Sequence, residues 1–259
     1  MTADVLTSDQ MRVANRLLSE EEQRREHLVV SLSGAHAYGF PSSDSDLDLK
    51  AIHIDPTKEI LGLARSHAKL ERLEVIEGIE VDYSSNELQP VLAGILQGNG
   101  NYIERILGAI PLRFSSDLLD LKPIVRRGLS RRIHRHYRGF ATGQLGEWEK
   151  TGGRSAKKLL YVLRTTLTGT HALNSGEIVT DVTALLGEYG FGAARELVEQ
   201  KRRGELAELP EEVIKQWRDR ISNVFQLLDS AREESQLPEE PPNVPEMEAW
   251  LLGVRRARF

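Results

Sequence analysis

SLSGAHAYGFPSSDSDLDLKAIHI (31–54) is the stretch whose reading decides the fold. An apolar run, LVVSLS (28–33), has a buried-strand pattern and stops at Gly34. A Gly/Pro/Ser-rich bend follows to Ser45, and DLDLKAIHI (46–54) resumes with strict alternation. Asp46, Asp48 and Lys50 share one strand face; Leu47, Leu49 and Ala51 share the other. Carboxylates two residues apart on a strand stand about 6.5–7 Å apart. They repel, and a hard divalent ion is the obvious charge to offset them. By spacing alone, decoration of an exposed strand face is the favoured reading. The bend favours chemistry, because Gly34 and Gly39 let the backbone approach closely and turn its N–H groups toward an anion. Asp82 in IEVDYSS (79–85) offers a third carboxylate, with Glu80 and Ser84 on its face and Val81 and Tyr83 opposite. Two Mg²⁺ (or Mn²⁺) ions about 3.5–4 Å apart on Asp46, Asp48 and Asp82 would stabilise both oxygens of an in-line displacement at phosphorus.

Working outward, residues 8–26 read as an amphipathic helix capped by Ser8 or Asp9, with Met11, Val13, Leu17 and Leu18 as apolar contacts. KLERLEVIEGIEVDYS (69–84) reads as a hairpin turning at Glu77-Gly78. NELQPVLAGILQ and NYIERILGAI read as two short helices, with Pro90 limiting how early the first can start. After about Pro123 the strand pattern gives way to helices near 126–150, 157–176, 180–188, 190–203 and 210–232. PEEPPNVPE (238–246) reads as a proline-rich linker, and EMEAWLLGVRRARF as a final segment docked by Trp250 and Leu251. The expected fold class is α+β: an N-terminal mixed sheet with flanking helices over 1–120, an all-helical domain over 121–235, and a linker and C-terminal segment over 236–259.

The chain has 259 residues, 40% hydrophobic and 28% charged, as in ordinary globular proteins, which excludes a disordered or low-complexity chain. Its formal net charge of −5 excludes a uniformly basic coat for nucleic acid, and the absence of cysteine excludes disulfides, thiolate zinc sites and cysteine nucleophiles. No run approaches the ~20 apolar residues of a membrane span. The acidic N-terminus does not read as a secretory signal, so a cytoplasmic location without membrane association is expected.

The motif stretch resembles the nucleotidyltransferase signature of the DNA polymerase beta superfamily, Gly-Ser-x(n)-Gly followed by Asp-x-Asp. It is most similar to the RNA-repair-associated (RlaP-like) branch, whose members often read GSxAYG…SDxDxR where this chain reads GAHAYG…SDSDLDLK. VDYSSNELQ (81–89) matches as the strand of the third carboxylate. NGNYIERI (99–106) resembles the branch's Asn-Pro-Asn-x-x-Glu element, with Gly100 in the proline's place. KKLLYVLRTTL (157–167) resembles its KKYLYVLRPLL helix. The likeness thus covers roughly residues 30–175. It implies an enzyme that moves a nucleoside monophosphate from an NTP, with ATP expected, to an acceptor hydroxyl and releases pyrophosphate. Asp46, Asp48 and Asp82 become the catalytic and metal carboxylates. Gly34, Ala35, Tyr38, Gly39 and Ser43 become nucleotide-binding positions. Ala35 departs from the motif serine; the lost hydrogen bond contributes about 0.5–1.5 kcal/mol, and Ser33, Ser42, Ser43 or Ser45 could compensate.

Lys157, Tyr161, Arg164, Thr168 and His171 fall on one face of the 157–176 helix. That stripe is either solvated or a wall of the nucleotide cleft. The resemblance favours the cleft, with Lys157 and Arg164, or alternatively Lys158, on the phosphates and Tyr161 against base or ribose. Lys122, Arg126, Arg127, Arg131, Arg132, Arg135 and Arg138 crowd one segment, with His134, His136 and Tyr137 interleaved. It is either a solvated charge run or a footprint for RNA, in which Arg127, Arg131, Arg132 and Arg135 meet phosphates and Tyr137 stacks. The histidines are not expected to bind metal. Glu104 is expected to form a helix-facing ion pair or, by the resemblance, to orient active-site groups; Asp44 is expected in the turn. The acceptor is expected to be RNA. A protein- or small-molecule-modifying nucleotidyltransferase, or a degenerate nucleotide- or RNA-binding module, are the alternatives. Oligomeric state is left open.

Overall fold

The computed structural model describes residues 5–63, 69–108, 110–204 and 206–259, so the first four residues of the N-terminal reading lie outside the described residues. The chain divides into two compact units. One comprises Met1–His36, Asp46–Gly128 and Pro241–Phe259; the other comprises Ala37–Ser45 and Leu129–Glu240. After the composition change at about Pro123, the chain passes from the first unit to the second between Gly128 and Leu129. Two assignments were not legible in composition: the bend residues 37–45 fold with the helices, and the C-terminal helix folds with the sheet.

The first unit is a five-stranded mixed sheet. Its strands are β1 (Glu26–Leu32), β2 (Leu47–Ile54), β3 (Lys69–Ile76), β4 (Ile79–Glu87) and β5 (Pro111–Phe114), in the order β3-β4-β2-β1-β5. β2 runs parallel to β4; the other pairs are antiparallel. The expected β3–β4 hairpin forms, with Glu77 and Gly78 both at positive φ (53° and 81°), as a tight two-residue turn requires. Helix α1 (Ser8–Glu22) is capped by Thr7 rather than Ser8 or Asp9. Gln10 closes a capping box, its amide N–H on Thr7 Oγ1 at 3.2 Å and its Oε1 accepting from Thr7 N–H at 3.0 Å. The helix buries Val13, Ala14, Leu17 and Leu18. Its fully buried Glu21 takes Arg72 of β3 (2.7 Å) and Arg25 (2.9 Å). In α4 (Leu88–Leu96), Pro90 sits in the first turn, where its missing N–H costs no helical bond.

Between β1 and β2 lie α2 (Gly34–Tyr38) and the bend; α3 (Thr57–Leu61) follows β2. After α4 come α5 (Gly100–Ile103) and a wide turn at Glu104–Gly108. α6 (Ser116–Arg127) carries Pro123 in its interior. Pro123 is itself exposed, so the break in the helical bonding lies on the solvent side of the helix. The last helix, α12 (Val244–Ala257), buries Met247, Val254 and Arg255 rather than Trp250 and Leu251. Arg255 makes a buried ion pair with Glu87 and donates to Asp55 O at 3.1 Å.

The second unit is helical: α7 (Ile133–Lys150), α8 (Ala156–Ser175), α9 (Val182–Leu185), α10 (Arg195–Arg202) and α11 (Glu211–Glu234). α8 is its centre, buried on every side from Val162 to Thr170. Gly169 lets Tyr137 of α7 lie flush, because a Cβ there would stand 2.6 Å from the tyrosine side chain. α8 ends at Gly176 in the left-handed conformation (φ 72°). The α+β expectation of a mixed sheet with flanking helices, followed by helices, is borne out.

One buried group makes the sheet unit pH-sensitive. His27 Nε2 meets Tyr83 Oη at 2.7 Å, and burial, reinforced by Arg25, lowers the His27 pKa to about 4. The fold therefore holds a neutral imidazole that the unfolded chain protonates below its ordinary value near 6.5. This contribution is complete above that value and is lost as pH falls toward 4, about 3 kcal/mol in all. The urea midpoint is expected to fall steadily between pH 7 and 4.5, and to fall less in His27→Gln; equal slopes in both proteins would refute this.

Candidate functional site

The site begins with register. Parallel pairing sets Asp48 opposite Asp82, Lys50 opposite Ser84 and Leu47 opposite Val81. Paired residues project to the same side. Asp48, Lys50, Asp82 and Ser84 therefore share one face, while Leu47, Leu49, Val81 and Tyr83 are buried on the other. Asp46 stands immediately before β2, half-buried. β1 adds Ser31 beside Lys50, and β3 adds Leu73 beside Asp82.

The cation among these acids is one that reading the carboxylates for metal overlooked. Lys50 Nζ lies 2.8 Å from Asp82 Oδ2 and 3.9 Å from Asp48 Oδ1. Lysine two residues after the second aspartate was legible as a face-mate; its reach across to β4 depends on the strand pairing. Among the described residues, no three carboxylate or imidazole side chains are already grouped to hold one ion. The donor set of Asp46, Asp48 and Asp82 suits a hard cation such as Mg²⁺.

Gly34 (φ +59) brings the bend against this face. A Cβ there would stand 1.8 Å from Asp48 Oδ2, closer than any atom pair tolerates. Ser33 N–H donates to Asp48 O at 2.9 Å, fixing the end of β1 to β2. Ala35 is buried, and His36 of the same turn meets Gln10 at 3.2 Å. Glu104 is also buried; its neighbour Arg105 donates to Asn86 Oδ1 (2.6 Å) and Ala51 O (3.3 Å).

In the helical unit, Gly39 (φ +88) serves a matching purpose: a Cβ would stand 2.0 Å from Oδ1 of Asp181, the residue that caps α9. Ser42 and Ser45 close the next turn on each other, Oγ to Oγ at 3.0 Å, with Ser43 and Asp44 exposed between them. Lys201 of α10, fully buried, donates to Ser42 Oγ (2.6 Å) and Ser45 Oγ (3.2 Å). No sequence pattern marked Lys201, which lies more than 150 residues from the turn. The turn it pins leads directly into Asp46.

Lys157, Lys158 and Tyr161 line a cavity of about 700 Å³ with Phe140, Gln144 and Leu206. Arg164 does not join them. It is 2% exposed, with its guanidinium 3.7 Å from the ring centre of Tyr38. Tyr38 and Phe40 meet Tyr161 edge-on at 5.7 and 5.6 Å. The stripe read along α8 is thus open only at its N-terminal end; Thr168 is buried, and His171 Nδ1 meets Tyr189 Oη at 3.0 Å.

The basic segment is largely engaged. In the sheet unit, Arg127 pairs with Glu246, beside Asn243, which donates to Ile124 O at 2.9 Å. In the helical unit Arg131 pairs with Glu239 (2.9 Å) and donates to Leu237 O and Ser235 O, while Arg132 pairs with Glu240. His134 and Arg138 share Asp229 at 2.8 and 3.2 Å. Tyr137 is fully buried and offers no ring face for stacking, which corrects that expectation. Arg135 is exposed. The proline-rich stretch from 235 to 246 is a clasp for these arginines rather than a slack linker.

The model of the RNA repair pathway DNA polymerase beta family matches residues 11–253. The chain belongs to that family. The resemblance drawn from GAHAYG, SDSDLDLK and KKLLYVLRTTL is thereby borne out, and the match extends it to the C-terminal helix. An uncharacterised protein of Methanocaldococcus jannaschii is 31% identical to this family member over 159 residues, 61% of this chain and 64% of that protein. A nucleotidyltransferase-like protein from Exiguobacterium sibiricum, solved by crystallography, aligns with 96% of this chain and 80% of its own at 13% identity and a TM-score of 0.35. At that distance no residue role is carried across. Among the described residues no helix is long and apolar enough to cross a membrane.

Gly34→Ala tests the close approach. The added methyl must displace the Asp48 carboxylate or the bend, at a φ that L side chains rarely adopt. Its melting temperature is expected to drop by several degrees, corresponding to about 1–3 kcal/mol of overpacking strain, while Gly78→Ala, with open space around it, drops less. Equal losses would show that Asp48 does not crowd Gly34.

Proposed function

We propose that the chain transfers a nucleotidyl group from a nucleoside triphosphate, with ATP the expected donor, to an acceptor hydroxyl at an RNA end. The observation that carries this reading is the paired placement of Asp48 and Asp82 on one sheet face, with Gly34 pressed against Asp48. The family's name supports RNA as the acceptor class. In the reaction the acceptor oxygen bonds to the α-phosphorus while the bond to the pyrophosphate oxygen breaks. Asp82, opposite Asp48 on the sheet face, would receive the acceptor's proton. A divalent cation held by Asp46, Asp48 and Asp82 would supply positive charge to activate the hydroxyl and neutralise the leaving pyrophosphate. Lys157 and Lys158 would meet phosphates and Tyr161 the base or ribose, while Arg135, exposed on α7, would meet the RNA backbone.

A second reading, with a protein hydroxyl as acceptor, has one observation in its favour. Leu73 and Val75 are 83% and 69% exposed on the same face as Asp82, between Glu71 and Glu80. An acidic and apolar surface suits a peptide better than a phosphate backbone.

The assay supplies Mg²⁺, each of the four labelled NTPs, RNAs of defined ends and candidate proteins. Labelled RNA is expected, and Asp48→Asn is expected to lower its formation at least about a hundred-fold, the scale of losing one electrostatic stabiliser. Label on protein instead would favour the second reading. Nucleotide binding without any product would make the chain a binding module.

A further inference from the structure

Lys50 supplies Asp48 and Asp82 with the positive charge that a shared divalent cation would otherwise supply. Its side chain is 18% exposed, beside Asp48 at 24% and Asp82 at 44%. The ammonium therefore offsets the pair in a setting partly shielded from water, where charge-assisted hydrogen bonds are strong. A divalent cation on Asp82 Oδ2 would meet the ammonium as a like charge at close range, so the two compete for that oxygen. Resting on the carboxylate reading above, we propose that loading of the site is an exchange: a divalent ion displaces the Lys50 ammonium from Asp82, and Lys50 sets how tightly the ion binds.

The fold also offers the displaced group a destination. Ser31 on β1 is the register partner of Lys50 and projects to the same side. It is 1% exposed, and its Oγ has no hydrogen-bond partner. An orphaned buried hydroxyl is costly unless it is used in some state of the protein. A lysine with three donors on a flexible stem can turn from Asp82 to such an acceptor without leaving the face. In the exchanged state Asp82 has both oxygens available, and the lysine charge stays near the phosphates that the ion brings. Lys50 is thus a positioning residue: it holds Asp82 in the unloaded site and yields it on loading.

The experiment titrates Mn²⁺ alone into the full chain and follows free Mn²⁺ by electron paramagnetic resonance. Lys50→Met is expected to bind roughly ten- to a hundred-fold more tightly than wild type, the equivalent of one charge-assisted hydrogen bond no longer competed for. Lys50→Gln, which keeps a donor without the charge, is expected to shift the same way by less. Ser31→Ala is expected to weaken binding a few-fold. A merely structural lysine would give the opposite sign, so Lys50→Met binding no tighter than wild type overturns the exchange. The carboxylate reading is tested separately by Asp48→Asn, which is expected to abolish binding. If Mn²⁺ binding survives that change, or wild type binds none, the reading fails and the exchange with it. Melting supplies a second check: metal-free Lys50→Met is expected below wild type, and Mn²⁺ to raise it by more. Equal shifts count against the proposal.

Discussion

Parallel pairing of β2 with β4 imposes a repulsion that the rest of the site is arranged to contain. Adjacent strands lie about 4.8 Å apart, so carboxylates at paired positions 48 and 82 face each other as like charges. At roughly 5 Å and an effective dielectric near 20, that repulsion is about 3 kcal/mol. A register slip of one residue would relieve it, but would also turn Leu47, Leu49, Val81 and Tyr83, all fully buried, out to the polar face. Burial of those four side chains is worth several times the repulsion, so the hydrophobic face fixes the register and the charge pair follows. Lys50 then has a defined electrostatic task, and its position two residues beyond Asp48 on the same strand is what lets it span to Asp82.

The two motif glycines solve a related problem of space. Each sits at positive φ where the atom a side chain would need is already occupied by a carboxylate, Asp48 at Gly34 and Asp181 at Gly39. The two occupants belong to different compact units, each with its own glycine. This also bears on Ala35, which stands where the family's serine is expected. The bend's geometry rests on the glycines, on the Ser33 bond to Asp48 and on the Lys201 clasp of Ser42 and Ser45. None of these needs a hydroxyl at position 35, which fits the small contribution expected of one neutral hydrogen bond, about 1 kcal/mol.

Much of the sheet was legible because its strands alternate cleanly. β2 and β4 declare their faces, and Glu77-Gly78 declares the hairpin. β5 was not, since four residues opening on proline at a sheet edge have no period to read. α6 was obscured by Pro123, a breaker tolerated here on an exposed side. The site followed the same rule. Asp48 and Asp82 were readable as strand-face residues from the period of two. Lys50 was visible as a residue but not as their counter-ion, and Lys201 was not visible at all. Both roles are created by pairing or packing across the chain, and single-strand patterns carry no information about it.

The basic segment shows the same limit with a functional consequence. Counted locally it is a cluster of positive charge in a net acidic protein, and a footprint for phosphates was a fair expectation. Its neutralising partners, Asp229, Glu239, Glu240 and Glu246, come from about a hundred residues further on. Each arginine so engaged is poorly placed to release counterions from a nucleic acid, because its charge is already matched. Electrostatic steering of a polyanion would therefore fall to groups outside the clasp, such as Arg135, exposed on α7. Local charge counts overstate affinity for RNA wherever the fold supplies its own acids. On the proposed reading, recognition of an RNA acceptor rests on a few positioned cations and the shape of its end, not on a broad basic surface.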